Sequence, residues 1–216
     1  MKALVLDFGG VVSLTEFETH THTEKVLGLP AGTLTWRGPF DPETDDLWQS
    51  MQRGEISERD YWHIRAREIG AMVGEEWTTL PQYLQRIVGG EPLSAIRPEA
   101  LSTIEVARAW GCRLAILSNE LDLFYGPEFK TGLPFLQHFD AVIDATYTRI
   151  LKPDPRAFGF VTERLNVDFS DCVFVDDQAR NVDGALAVGM QAVHFDVTKP
   201  AASFQLALNA LGVPRG

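Results

Sequence analysis

The chain has 216 residues, 45% of them hydrophobic, enough for one compact core or a core with a small accessory domain. Charged residues at 23% and aromatics at 10% exclude disorder and collagen-like repeats, and no apolar run approaches the roughly 20 residues that cross a bilayer. Nineteen Lys and Arg against thirty Asp and Glu leave a net charge of −11, which repels phosphodiester backbones and argues against nucleic acid as a partner, while leaving room for a local basic pocket that holds a small anion.

Residues 3–6, Ala-Leu-Val-Leu, form a short continuous apolar run, the mark of a strand buried on both faces. The run stops at Asp7, with Gly9-Gly10 behind it, so the strand ends in a turn carrying a carboxylate. Lys2 before this run mimics the start of a signal peptide, but Asp7 interrupts the apolar stretch and no small-residue cleavage site follows; the expected location is the cytoplasm. From about 14 to 90 no strand pattern occurs. Helical stretches are expected at about 15–27, 43–53, 57–70 and 75–88, with Ser57 as a helix start and Trp62, Ala66 and Ile69 on one face.

The strand grammar then returns. Leu101, Ile104, Ala107 and Trp110 recur in three-residue steps before a stop at Gly111, and residues 113–117 run into Ser118-Asn119. A strand at 141–143 precedes a helix opening at Asp154-Pro155 with Phe158, Val161 and Leu165 on one face. Residues 172–175 run into Asp176-Asp177, followed by a helix whose face carries Val182, Ala185 and Leu186 and ends near Gly189; residues 191–195 complete the set. Cys112 and Cys172 stand far apart with no CxxC spacing, and read as small hydrophobes beside buried strands.

Strands alternating with helices predict an α/β fold, a parallel sheet covered on both faces, in which ligands bind at the carboxyl ends of the strands. Every polar motif named above falls at such an end or in the loop after it. A carboxylate on a tight turn serves as a nucleophile, paired acidic residues suit a hard cation, and a hydroxyl with an ammonium group clamps phosphoryl oxygens.

In this order the motifs resemble those of the haloacid dehalogenase superfamily, most of whose members are aspartate-based phosphatases. The first is Leu6-Asp7-Phe8-Gly9-Gly10-Val11, the second Leu117-Ser118-Asn119, the third Leu151-Lys152-Pro153-Asp154-Pro155, and the fourth Phe174-Val175-Asp176-Asp177 with Asn181 behind it. The segment Gln52-Arg53-Gly54-Glu55-Ile56-Ser57 is similar to the branch holding sugar-1-phosphate phosphatases and the phosphatase domain of soluble epoxide hydrolases. The resemblance implies a Rossmann-like, doubly wound parallel sheet from residues 1–13 and 91–216, with a small helical cap domain, residues 14–90, inserted after the first strand. It implies Asp7 as the nucleophile that carries the phosphoryl group of a small phosphorylated metabolite. Mg²⁺ would be held by the Asp7 and Asp177 carboxylates and the Gly9 carbonyl, with Asp176 and Asn181 supporting that shell. Ser118 and the backbone amide of Asn119 would hold phosphoryl oxygens, and Lys152 would neutralise charge beside Asp7.

One departure matters. Most phosphatases of the superfamily carry a second Asp two residues after the nucleophile as general acid and base, and here that position is Gly9. Either the leaving group departs unaided or another residue supplies the proton; Glu16, His20 and His22 stand nearby, although each reads first as a polar residue on a cap helix or hinge. Arg149, where the superfamily often has a small residue, reads as a surface arginine. Four tryptophans, Trp36, Trp48, Trp62 and Trp77, fall in the cap segment and read mostly as its core; Arg53, Arg65 and Arg67 are candidates for steering an anion in a segment that is acidic as a whole. The rival activity is a metal-independent 2-haloacid dehalogenase, which the loss at Gly9 favours and the Asp176-Asp177 pair opposes. A phosphometabolite-binding protein weakened as a catalyst is the non-enzymatic alternative, opposed by the presence of Asp7, Lys152 and Asp177.

Overall fold

The computed structural model describes residues 1–88 and 91–214. The apolar runs form β1 (Ala3–Leu6), β2 (Arg113–Ser118), β3 (Ala141–Asp144), β4 (Cys172–Asp176) and β5 (Gln191–His194). They pair in parallel in one sheet of order β3-β2-β1-β4-β5. The chain therefore winds outward from β1 on one side and returns to its other side for β4, so the strand order switches direction beside β1, where doubly wound sheets bind their ligands.

Between β1 and the next strand the chain forms helices α1 (His20–Leu27), α2 (Asp46–Gln52), α3 (Glu58–Val73), α4 (Leu80–Val88) and α5 (Pro98–Ala109). Ser57 starts α3 with a reciprocal cap: its Oγ accepts from the Asp60 amide at 3.1 Å and the Asp60 carboxylate accepts from the Ser57 amide at 3.1 Å. Phe17 packs edge-on against Trp36 and Trp48 with centroids at 5.4 and 5.3 Å, and against Trp62 at 5.3 Å. Trp36, Trp62 and Trp77 are buried, so these rings form the interior of the α1–α4 segment. The expected boundary at residue 90 lies outside the described residues.

The chain leaves and re-enters the sheet layer side by side. Ser13 and Ile96 form an antiparallel bridge, the Leu14 amide donates to the Ala95 carbonyl at 2.8 Å, and the Arg97 amide to the Val12 carbonyl at 3.0 Å. Arg97 itself is 1% exposed. Its guanidinium grips both Glu18 carboxylate oxygens at 2.7 Å and the Gly10 carbonyl at 3.0 Å, tying the loop after β1 to the start of α5.

The remaining helices are α6 (Leu121–Tyr125), α7 (Ala145–Thr148), α8 (Pro155–Leu165), α9 (Ala179–Ala187) and α10 (Pro200–Ala210). Side chains alternate across β1 as a strand requires. Leu4 and Leu6 pack with Ile104 of α5 and Phe204 of α10, whereas Ala3 and Val5 pack with Phe158 and Val161 of α8 and Ala185 of α9. Two expected face residues do not lie in the core: Trp110 and Leu186 are 55% and 51% exposed. Three-residue steps each fall about 60° short of a full helical turn, so the buried stripe of α5 drifts off Trp110 and follows Ala100, Thr103, Ile104 and Ala107 instead. Leu186 lies about 100° round the helix from buried Ala185. Cys112 and Cys172 are free and buried.

Removing a buried charge's partner leaves the other charge uncompensated. Arg97→Ala should therefore lower the unfolding free energy by about 3–5 kcal/mol, measured by urea denaturation. A loss within the range of an exposed pair, below about 1 kcal/mol, would show that the Arg97 clamp contributes nothing beyond a surface contact.

Candidate active site

Because β1 and β4 are neighbours in register, with Leu6 opposite Val175, the residues that follow them meet at the sheet's carboxyl edge. The Asp7 amide donates to the Val175 carbonyl at 2.9 Å, which continues the ladder one residue past β1 and fixes where the Asp7 side chain begins. Lys152 comes in from the loop before α8 and is 3% exposed. Its ammonium donates to Asp7 Oδ1 at 2.6 Å and to Asp176 Oδ2 at 2.7 Å. Burial alone would depress this ammonium, but the charges of Asp176 and Asp7, with their hydrogen bonds, hold it above its ordinary value.

Asp176 is fully buried and saturated. Besides Lys152, it accepts from the Gln178 amide at 2.8 Å and from Asn181 Nδ2 at 3.0 and 3.1 Å. Asp177 differs: its carboxylate takes no hydrogen bond from the described residues, while its carbonyl meets His194 Nε2 at 2.9 Å. Carboxylate oxygens of Asp7, Asp176 and Asp177 all lie within 4.8 Å of one another. Burial raises the Asp7 carboxyl against the opposing pull of Lys152. It also raises Asp177 well above the carboxylate range, reinforced by the charges of Asp176, Asp7 and Glu58. One ammonium cannot balance three carboxylates at this spacing, and an all-oxygen, anionic donor set is the kind that takes a hard cation.

The two glycines behind Asp7 play different parts. Gly10 has φ +74°, and a Cβ there would stand 2.7 Å from Asp177 Oδ2, so both the left-handed turn and the approach of Asp177 exclude a side chain. A Cβ at Gly9 would meet nothing within 4 Å.

Ser118 ends β2 and is buried at the same edge. Asn119 clasps the third motif: its Nδ2 donates to the Lys152 carbonyl at 3.1 Å and its Oδ1 accepts from the Lys152 amide at 2.7 Å. Its side chain therefore positions Lys152. Arg149 is exposed. Arg53 is paired with Glu55, and Arg65 with Asp45 and Glu68, so these cations already have partners; Arg67 is exposed and donates to the His63 carbonyl at 3.2 Å.

Two links were not legible from periodicity. Glu58, the first residue of α3, contacts Gln178 Nε2 and lies 3.9 Å from Arg180 Nη2, and Arg59 pairs with Glu120 behind the second motif. The start of α3 thus spans two of the loops that carry the site. Arg97 was also missed; its signal was a lone arginine directly before a helix-opening proline, which sequence pattern does not separate from a surface residue.

Comparison with known proteins agrees with this arrangement. The family model "haloacid dehalogenase-like hydrolase" matches residues 1–189. The chain is 29% identical over 202 residues to phosphatase MT3486 of Mycobacterium tuberculosis, covering 91% of this chain and 88% of that protein. It is 27% identical over 199 residues to mouse acyl-CoA dehydrogenase family member 10, covering 90% of this chain but only 18% of that much longer protein. In fold it is similar to the crystal structure of L-2-haloacid dehalogenase from Xanthobacter autotrophicus, with a TM-score of 0.56 at 19% identity, over 90% of this chain and 77% of that one. With a strand-end aspartate, a buried lysine and an acidic pair converging at the switch point of a parallel sheet, the chain belongs to the haloacid dehalogenase-like hydrolases.

Proposed function

We propose that this hydrolase is a Mg²⁺-dependent phosphatase of a small phosphorylated metabolite, working through an aspartyl-phosphate on Asp7. The observation that carries this reading is the charge imbalance at the site: Asp7, Asp176 and Asp177 within 4.8 Å of one another, with Lys152 bound to only two of them. A dehalogenase that works without a metal has no use for the unpaired Asp177 carboxylate. The similarity to a mycobacterial phosphatase along most of both chains supports the same reading. Asp7, Asp177 and the Gly9 carbonyl would hold Mg²⁺, which when bound supplies positive charge to the phosphoryl oxygens.

The chain's own residues supply the remainder. Asp7 attacks phosphorus from its fixed place beyond β1. Lys152 favours the ionised form of Asp7 against the effect of burial and would neutralise charge as it spreads over the equatorial oxygens. Asp176, held on both oxygens, fixes Lys152 in turn, with Asn181 and the Gln178 amide as its anchors. Ser118 and the Asn119 amide would donate to phosphoryl oxygens. Helices α1–α4 act as a cap over this edge, closing through α3 onto Gln178, Arg180 and Glu120; residues 14–90 are that cap and the rest of the chain is the catalytic core. No helix among the described residues is long and apolar enough to cross a membrane, and we place the enzyme in the cytoplasm.

Asp7→Asn should reduce turnover of an aryl phosphate by at least about 10³-fold while the melting curve keeps its cooperative shape. Substantial activity in a well-folded Asp7→Asn protein would remove Asp7 as nucleophile. Chelation should abolish phosphate release, Mg²⁺ should restore it, and Asp177→Ala should raise the Mg²⁺ concentration required by about 10- to 100-fold. A chelator-resistant protein that releases halide from a 2-haloacid would establish the dehalogenase reading instead.

A further inference from the structure

Gly9 leaves no carboxyl on the turn beside the nucleophile, and a Cβ built there meets nothing within 4 Å, so the space on that side of Asp7 is open to a group from elsewhere. The structure separates the three protonatable residues that follow the first motif. His22 Nε2 lies 3.1 Å from the Ile87 carbonyl of α4. His20 is 6% exposed and packed edge-on against Trp36 at 4.1 Å. Glu16 is partly buried, and its carboxyl meets the Tyr83 hydroxyl of α4.

Its backbone is held against the glycine turn. The Thr15 methyl lies 3.5 Å from a Cβ placed on Gly10, the Thr15 amide donates to Glu18 at 2.9 Å, and Glu18 is locked by Arg97, which also holds the Gly10 carbonyl. Tyr83 of α4 donates its hydroxyl to Glu16 Oε2 at 2.9 Å, while Oε1 takes no hydrogen bond from the described residues. Tyr125 of α6 is edge-on to Phe8 at 5.5 Å, and its hydroxyl lies 2.9 Å from Ser13 Oγ, which accepts from the Gly10 amide at 3.3 Å; burial raises this hydroxyl, and the charges of Glu16 and Asp7 add to the rise.

Resting on the phosphatase reading above, we propose that Glu16 is the proton donor to the leaving-group oxygen. As Asp7 Oδ bonds to phosphorus, the bond from phosphorus to the leaving oxygen breaks, that oxygen keeps the electron pair, and the Glu16 carboxyl gives it a proton; an alcohol leaves. In the second half, water attacks phosphorus, its proton returns to the Glu16 carboxylate, and the Asp7–phosphorus bond breaks, so phosphate and the starting enzyme are recovered. The ionisable groups around Glu16 are Tyr83 from α4, which donates to it, and Tyr125 from α6, which its charge reaches; Arg97 is already bound by Glu18. In that setting burial pushes the Glu16 carboxyl up to about 7, with the Tyr83 hydroxyl opposing, so a large share is protonated at neutral pH, as an acid catalyst needs. By contrast, burial lowers the His20 imidazole to about 4.

The test is kcat/KM, in Mg²⁺, over a series of phosphate esters from p-nitrophenyl phosphate to simple alkyl phosphates, for the native enzyme, Glu16→Gln and Glu58→Gln. A donor rescues poor leaving groups most. Glu16→Gln should therefore lose about 10²–10⁴-fold on alkyl phosphates, at least a hundredfold more than on p-nitrophenyl phosphate, and its plot of log(kcat/KM) against leaving-group pKa should be much the steeper. The protonated form is the active one, so native kcat/KM on alkyl phosphates should fall as pH rises through about 7, and Glu16→Gln should lack that fall. Tyr83→Phe removes a hydrogen bond that favours the carboxylate, and should move the fall to higher pH. A uniform loss across the series, no loss, or a selective loss in Glu58→Gln alone would overturn the assignment while leaving the phosphatase intact. A native enzyme that hydrolyses no member of the series but releases halide would overturn the phosphatase reading and this assignment with it.

Discussion

The Lys152 ammonium, almost fully buried, lies 2.6 Å from Asp7 and 2.7 Å from Asp176, and the geometry of the site follows from it. A buried charge is tolerated only when paired and fully hydrogen-bonded, so each partner of this lysine must itself be held. Asp176 is fastened by the Gln178 amide and by Asn181, and the Lys152 peptide is gripped at both its amide and its carbonyl by Asn119. Three of the four motifs are thereby locked to one another, and the first joins them through Asp7. The sheet makes this possible: β1 lies between β2 and β4, so the residues ending all three strands arrive at one edge, where Lys152 meets Asp7 and Asp176 with its ammonium and Asn119 with its peptide.

That arrangement leaves Asp177 over. It closes on the glycine turn so tightly that no side chain fits at Gly10, yet its own carboxylate has no donor among the described residues. A pair of well-anchored carboxylates and one unanchored one, gathered about a single lysine, is an electrostatic arrangement that is relaxed by protonation of a carboxyl or by a bound cation. Nearby, Gly9 is free of any close neighbour. Crowding at Gly10, where both Asp177 and Thr15 approach, thus stands beside free space at Gly9.

The loop that follows the turn is anchored beside Gly10. Arg97 holds Glu18 and Gly10 together, so Thr15 and Glu16 cannot drift from the turn, and Tyr83 reaches down from α4 to the Glu16 carboxyl. At the other side of the edge, the start of α3 touches Gln178 and Glu120. The α1–α4 segment is thus joined to the site by polar contacts at its rim and by an apolar layer, in which Tyr83, Leu84, Leu121 and Tyr125 are continuous with Leu4 and Leu6 of the sheet.

The three central strands could be read from short apolar runs because a strand buried on both faces needs nothing else, whereas the edge strand β5 is exposed or only partly buried along its length. The placement of Asp7, Ser118 and Asp176 followed from each lying where such a run stops. Local chemistry also announced the Ser57 cap and the glycine turn. Helix faces were less legible. Trp110 and Leu186 satisfied an apolar count but not the 3.6-residue rotation, and only packing decided between them and Ala100 or Ala185. The pairing of Asn119 with the Lys152 peptide, the burial of Arg97 over Glu18, and the meeting of Glu16 with Tyr83 join residues 33, 79 and 67 positions apart. A polar side chain carries no sequence periodicity that records a distant partner. What the amino-acid order determined by itself was which residues stand at the strand ends. Which of them hold one another, and which carboxyl is left without a partner, was decided by the tertiary fold, because hydrogen bonds and charges act across space that the chain crosses only once it has folded.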